Sequence, residues 1–271
     1  MTQVETGTVL DAILTRTAAD LAGRKSTTAV ADLEAAAYSR REPLSLRAAL
    51  GGPDMSVIAE IKRASPSRGA FPVDVEPATV ARDYVSGGAA AISVLTDEPF
   101  FQGTLGDLEA AASAAHIGSE PVPVLRKDFV IDPYQIVEAR AHGADAVLLI
   151  VAALDDSALA ELLAATADWR MDALVEVHDE REMERAAAVG ATVVGINNRD
   201  LKTFAVDLGV TERLAPFAPV DAVIVAESGV FGASDVKRLH DAGANAVLVG
   251  EGLITASDRV AAVRALLAWA T

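Results

Sequence analysis

At 271 residues the chain is long enough for one large domain or two small ones, and 51% hydrophobic content with 4% aromatics suits a core built from aliphatic side chains. A formal net charge of −16, with no Lys/Arg run, argues against a nucleic-acid partner, and the absence of cysteine removes disulfides and thiolate metal sites. No apolar run is long enough for a bilayer and the N-terminus lacks a basic region followed by an apolar core, so a soluble cytoplasmic protein is expected. The four histidines, His116, His142, His178 and His240, lie far apart without metal-ligand spacing, and each reads as a surface or helix-end residue.

Residues 1–52 read as a helical extension. Val9, Leu10, Ile13, Leu14 and Leu21 follow a helical period, Val30, Leu33, Ala36 and Ala37 repeat it, and Leu44, Leu46 and Leu50 lead to Gly51, Gly52 and Pro53. From residue 53 to 271 short apolar runs alternate with amphipathic segments. The strand candidates are Val57–Ile61, Ala90–Leu95, Val122–Leu125, Ala146–Val151, Ala173–Val177, Val193–Ile196, Ala222–Ala226 and Ala246–Val249. Helices are expected near 77–87, 104–116, 133–142, 155–168, 179–189, 207–214, 232–242 and 257–270. Strands alternating with helices imply parallel strands joined by crossovers.

An internal repeat supports this order. SGGAAAISVL, AHGADAVLLI, AVGATVVGIN and DAGANAVLVG recur about 50 residues apart, each ending a helix at a glycine (Gly88, Gly143, Gly190, Gly243) just before a strand. Eight such units predict a (β/α)8 barrel, a TIM barrel with an N-terminal helical extension. The rival, an open doubly wound sheet, lacks its glycine-rich fingerprint after the first strand.

Barrel enzymes place their chemistry at the C-terminal ends of the strands. There the first strand has Glu60 and Lys62, two apart and therefore on one face, a pattern that fits either a structural ion pair or the rim of a pocket. The third offers Arg126, Lys127 and Asp128, the fifth Glu176, and the sixth Asn197, Asn198 and Arg199. The seventh adds Glu227, Ser228 and Gly229, and the eighth Gly250, Glu251 and Gly252. Polar residues at six strand ends make one ring. Loops after the last two strands form the common phosphate site of such barrels, and Gly229, Gly250 and the Ser228 hydroxyl suit it, with Lys62, Lys127 and Arg199 supplying positive potential. Lysines and carboxylates in one pocket suggest acid–base work, with a lysine whose pKa is pulled down by burial among cations. The expected chemistry needs no metal and no cofactor.

These segments resemble the indole-3-glycerol-phosphate synthase family. The resemblance rests on AEIKRASPSRG (59–69), FFQG (100–103), LRKDF (125–129), YQIVEARAHGADAVLLI (134–150), LVEVH (174–178), GINNRDL (195–201), AESGV (226–230) and VLVGEGL (247–253), which run through the whole barrel in order. It implies a decarboxylating, dehydrating lyase of tryptophan biosynthesis, acting on 1-(2-carboxyphenylamino)-1-deoxyribulose 5-phosphate. By motif, Lys127 is implied as general acid for the ketone oxygen, Glu176 as its acid–base partner in dehydration, and Lys62 as the carboxylate ligand and a further proton donor. Glu60 is implied to orient the lysines, and Asn197 to position the sugar hydroxyls and Glu176, with Arg199 adding charge nearby. Ser65, Ser228, Gly229, Gly250 and the Glu251 amide would hold the phosphate, and Phe101 and Phe129 would pack on the aromatic ring. Thr104 after FxG and Asn198 depart from the family pattern without touching a catalytic position. The implied partner is a phosphorylated small molecule, with no nucleic acid, membrane or obligate protein partner. Two other readings remain: a Schiff-base aldolase with Lys127 as nucleophile, and a barrel that binds a phosphorylated metabolite without turnover.

Overall fold

The apolar runs become eight parallel strands: β1 (Ser56–Ile61), β2 (Ala91–Leu95), β3 (Val124–Lys127), β4 (Ala146–Ile150), β5 (Asp172–Val177), β6 (Val193–Asn197), β7 (Val223–Glu227) and β8 (Ala246–Val249). They close in chain order into a barrel, β8 pairing back onto β1. A computed structural model describes residues 6–66, 68–118 and 120–270. Between the strands lie the crossover helices Pro77–Gly87, Leu105–Ala115, Pro133–Ala141, Asp156–Asp168, Glu180–Ala188, Gly209–Leu214 and Ala233–Asp241, and Arg259–Leu267 closes the ring. Among the described residues no helix is long and apolar enough to cross a membrane.

The repeated glycines explain how four of these helices turn back into the sheet. Gly88, Gly143, Gly190 and Gly243 all have positive φ, between 75° and 100°. In each case the glycine N–H donates to the carbonyl three residues back and the next alanine N–H to the carbonyl five back, as in Gly143 to Arg140 and Ala144 to Ala139, both at 3.0 Å. This double closure satisfies the orphan carbonyls at the helix end and is open to a residue without a Cβ clash in the left-handed region.

The N-terminal helices run down one flank of the barrel. Helix Val9–Thr27 starts over the C-terminal end of the strands, and its Leu21, with Leu33 and Ala37 of helix Val30–Ser39, packs against Tyr134, Val137 and Ala141. Arg24 pairs with Glu138 at 2.9 Å, and Arg40 donates to the Ala141 carbonyl at 2.9 Å. The short helix Leu46–Leu50 reaches the other end, where Leu46 and Leu50 are fully buried and the Arg47 amide donates to Asp172, the first residue of β5.

One strand lies two residues beyond its expected place. Apolar character alone ends the third run at Leu125, whereas β3 continues through Arg126 and Lys127. The charges are accommodated by alternation of strand side chains. Arg126 points outward beneath helix Pro133–Ala141, 1% exposed, with Asp128 at 2.8 Å, Glu138 at 2.9 Å and the Gln135 carbonyl at 2.8 Å. Lys127 points into the barrel mouth. Other features not expected from the sequence are a hairpin in the loop after β1, pairing Ala64–Ser65 with Gly69–Ala70, and the short helices Glu98–Phe101 and Glu251–Ile254.

Removing one partner of a buried ion cluster leaves the others uncompensated, at a cost of about 3–5 kcal/mol. Arg126→Met should therefore lower stability in urea unfolding by about that amount, and a loss under 1 kcal/mol would show that Asp128 and Glu138 do not depend on it.

Candidate active site

Every candidate site residue comes to one cavity of about 200 Å³ at the C-terminal mouth of the barrel. Glu60, Lys62, Ser65, Phe101, Lys127, Phe129, Glu176, Asn197, Arg199, Ser228, Gly229, Gly250 and Glu251 all line it. Leu148, Ile150 and Leu248 form an apolar floor, and Val9, Leu10 and Ile13 of the first helix contribute a wall. Two members of the polar ring face elsewhere. Arg126 is the outward neighbour of Lys127, and Asn198 is buried outside the mouth, accepting from the Thr211 amide and hydroxyl and donating to the Ser228 carbonyl. Strand alternation sends one residue of each adjacent pair inward.

The centre is a buried charge cluster. Lys127 Nζ lies 3.2 Å from Glu227 Oε2 and 3.5 Å from Glu176 Oε2. Beside it Lys62 Nζ pairs with Glu60 Oε2 at 2.8 Å. So the first strand does contain the ion pair its sequence suggests, and that pair faces the cavity. Glu176 Oε1 accepts from Asn197 Nδ2 at 3.3 Å and stands 3.3 Å from His178 Nε2. Asn197 Oδ1 in turn accepts from the Ser228 hydroxyl at 2.9 Å and the Arg199 amide at 3.1 Å. The Arg199 guanidinium donates to the Phe204 carbonyl.

Electrostatics here contradict the expectation of a lowered lysine pKa. Burial alone would lower it, but the carboxylates of Glu227, Glu176 and Glu60 outweigh burial and hold Lys127 well above its ordinary value. The carboxylates that the sequence places in the same pocket as the lysines, and not a second cation, set the direction. Burial pushes Glu60 and Glu176 up, and the nearby ammonium groups overcome it, so both sit below the usual carboxylate range; His178 and Asn197 assist at Glu176. Glu227 goes the other way. Burial, with Glu176 and Glu60 close by, raises it against the pull of Lys127. Its Oε1 is buried without a hydrogen-bond partner.

Glycines make room for this cluster. A Cβ on Gly195 of β6 would lie 2.2 Å from Glu227 Oε1, and one on Gly250 would lie 2.3 Å from Glu60 Oε2 and 2.8 Å from Lys62 Nζ. The far end of the cavity is different in character. Ser228 and Gly229 both have positive φ, 66° and 86°, which turns the chain after β7 toward the mouth beside Gly250, Glu251 and Gly252. Arg68 of the loop after β1 reaches Glu251 at 3.2 Å. On the opposite side Phe101 and Phe129 sit with ring centroids 6.2 Å apart. Among the described residues no group of His, Cys, Asp or Glu side chains is placed to hold a metal ion.

Residues 10–266 match the family model of indole-3-glycerol phosphate synthase. The chain belongs to that family. The indole-3-glycerol phosphate synthase of Mycobacteroides abscessus is 51% identical over 264 residues, covering 97% of this chain and 95% of that protein. Those of Mycobacterium avium and Mycobacterium tuberculosis are 51% and 50% identical over 260 residues, each covering 96% of this chain and 94% of the relative. Solved structures share the barrel at much lower identity. A thiamine phosphate pyrophosphorylase from Pyrococcus furiosus superposes with TM-score 0.59 at 16% identity, covering 82% of this chain and 96% of that one. An N-acetylmannosamine-6-phosphate 2-epimerase from Clostridium perfringens gives 0.59 at 15%, covering 80% and 93%.

Two contributors to this synthase-family site had no role from sequence. Glu227 stands in the polar ring, but only the folded chain reveals that it is the nearest carboxylate to Lys127. His178 reads as a helix-end residue because its partners, Glu176 and Glu182, become meaningful only once the strand faces the mouth. The signal was its position two residues after Glu176 in LVEVH.

Gly195→Ala tests the space around Glu227. The barrel should fold, since the nearest obstacle is a carboxylate end and not backbone, while Glu227 must move from Lys127. A displacement near 1 Å predicts a fall in kcat of about 100-fold, measured beside a thermal melt; unchanged kcat would show that Glu227 placement is immaterial.

Proposed function

We propose that this cavity closes the indole ring of 1-(2-carboxyphenylamino)-1-deoxyribulose 5-phosphate with Lys127 as general acid and Glu176 as its acid–base partner. As a family member the chain is a carboxy-lyase, an enzyme of tryptophan biosynthesis that acts on a phosphorylated small molecule. The observation that supports the residue roles is the Lys127 ammonium set between Glu176 and Glu227, in a mouth with a glycine- and serine-built end opposite an aromatic one.

In this reading the substrate phosphate lies against Ser65, Ser228 and the amides of Gly229, Gly250 and Glu251. The anthranilate ring packs on Phe101 and Phe129, with its carboxylate at Lys62. Anchors at both ends hold the ring carbon that bears the carboxylate near the ketone carbon. As that carbon attacks, the ketone oxygen develops negative charge and takes a proton from Lys127. The Glu60 and Glu176 carboxylates keep Lys127 protonated at neutral pH, and a developing alkoxide is basic enough to accept its proton. Glu60 steadies the cationic aniline nitrogen. Carbon dioxide then leaves, returning its bonding pair to the ring system. The new hydroxyl departs as water with a second proton, while Glu176 removes one from the methylene carbon beside the nitrogen, restoring the aromatic indole. Two protons enter and one leaves, so each turnover takes up one proton, balancing the carboxylate charge lost as carbon dioxide. Asn197 and Arg199 position Glu176 and the sugar hydroxyls.

Fluorescence of the indole product, followed with purified protein and no added metal or cofactor, tests the activity. Lys127→Ala should lower kcat by about 10²- to 10⁴-fold with a much smaller change in KM. Full kcat in this variant would remove Lys127 as the acid, and borohydride trapping of substrate on Lys127 would favour an aldolase instead. Ser228→Ala should mainly raise KM, by about tenfold for one lost phosphate contact; an unchanged KM would move the phosphate elsewhere.

A further inference from the structure

We propose that His178 is a positioning residue for Glu176, its imidazole clamped by Glu182 so that one carboxylate oxygen of Glu176 is fixed and the other is left for Lys127 and the substrate. The proposal rests on the role given to Glu176 above and extends it to a residue outside the reacting centre.

The geometry comes from the strand. Glu176 lies in β5 and lines the mouth, whereas His178, the first residue past the strand, lines the adjoining cavity, with Val177 buried between them. His178 Nε2 stands 3.3 Å from Glu176 Oε1, a charge contact without hydrogen-bond alignment. On the ring's other edge Nδ1 meets Glu182 Oε2 at 3.0 Å, and the His178 amide donates to the same oxygen at 2.8 Å. Glu182 lies in the first turn of helix Glu180–Ala188, itself capped by Asp179, so the side chain that holds the ring extends from an anchored helix start. Glu176 thus has its oxygens divided, Oε1 to His178 and Asn197, Oε2 toward Lys127.

His178 also marks a boundary. It borders a second cavity of about 710 Å³, which shares Asn197 and Arg199 with the first. The groups around it are Glu176 on its own strand, Glu182 on the following helix, and Asn197 and Arg199 from β6 and its loop, with Asp179, Arg181 and Arg185 bordering the same cavity. Burial would lower the imidazole pKa, but the two carboxylates outweigh burial and push it up to about 10. The folded value lies above the unfolded one, so the clamp contributes fully below the ordinary histidine value near 6.5 and is lost as pH rises through about 10.

The test is a pH series of kcat and KM on the intact enzyme, from about pH 3 to about pH 10, with ring carbon NMR of labelled histidine as a direct reporter. His178→Gln should lower kcat about tenfold with KM within about twofold. Its acidic limb should move to higher pH, because Glu176 loses a cationic neighbour. Glu182→Gln keeps the imidazole, and should bring both the His178 NMR titration and the alkaline limb of kcat to lower pH. In the unmodified enzyme the His178 signal should remain that of imidazolium at neutral pH. A neutral His178 at pH 7, or wild-type kcat and pH profile in His178→Gln, overturns the proposal. If His178→Gln does not fold, the Glu182→Gln profile and the wild-type titration decide. Lys127→Ala measured in parallel separates the two readings: full activity there sinks the assignment of the site, whereas a dead Lys127→Ala with silent His178 and Glu182 variants sinks only this inference.

Discussion

An ammonium group buried among three carboxylates is the constraint on which the mouth of this barrel depends. Lys127 cannot be neutral there without leaving the Glu60 and Glu176 anions to repel one another, and even with Lys127 and Lys62 between them the third carboxyl, Glu227, is pushed toward its acid form. The cluster holds its protons unevenly. Glu60 and Glu176 are driven toward the anion, Glu227 toward the acid, and Lys127 toward the ammonium. Opposed shifts in adjacent groups are what lets one site give and accept protons at a single pH. The same balance explains the glycines on β6 and at the end of β8, since side chains there would occupy the space the carboxylates need.

The barrel was legible in sequence wherever the signal is local. Four Gly-Ala turns announce helix ends, because only a residue tolerant of positive φ closes them that way. The inward charges were legible for a related reason: Glu60, Glu176 and Glu227 interrupt apolar strands in which nothing else would call for a carboxylate. What escaped depends on contacts between distant segments. The extension of β3 through Arg126 requires Glu138, about one and a half turns into another element, and the sign of the Lys127 shift requires three other strands. His178 looked ordinary because a histidine at a strand end often is. Thr104 and Asn198, departures from the family pattern, turn out to be structural fasteners: Thr104 caps the helix after β2 in a reciprocal capping box, and Asn198 ties the loop after β6 to Thr211.

The path of the first two helices has a consequence for modularity. Arg24, on the helix whose other end walls the cavity, meets Glu138; Glu138 meets Arg126; Arg126 meets Asp128, the residue after Lys127. Lower down, Leu44 and Arg41 of the connecting segment engage Asp145, which is fully buried and also receives the Val124 amide at the start of β3. The extension and the barrel therefore share one set of buried counter-ions, spanning both ends of the strand that bears Lys127. Exchanging the N-terminal helices alone would leave Glu138 without Arg24 and Asp145 without Arg41 and the Leu44 amide, so the extension and the third βα unit depend on matched charges.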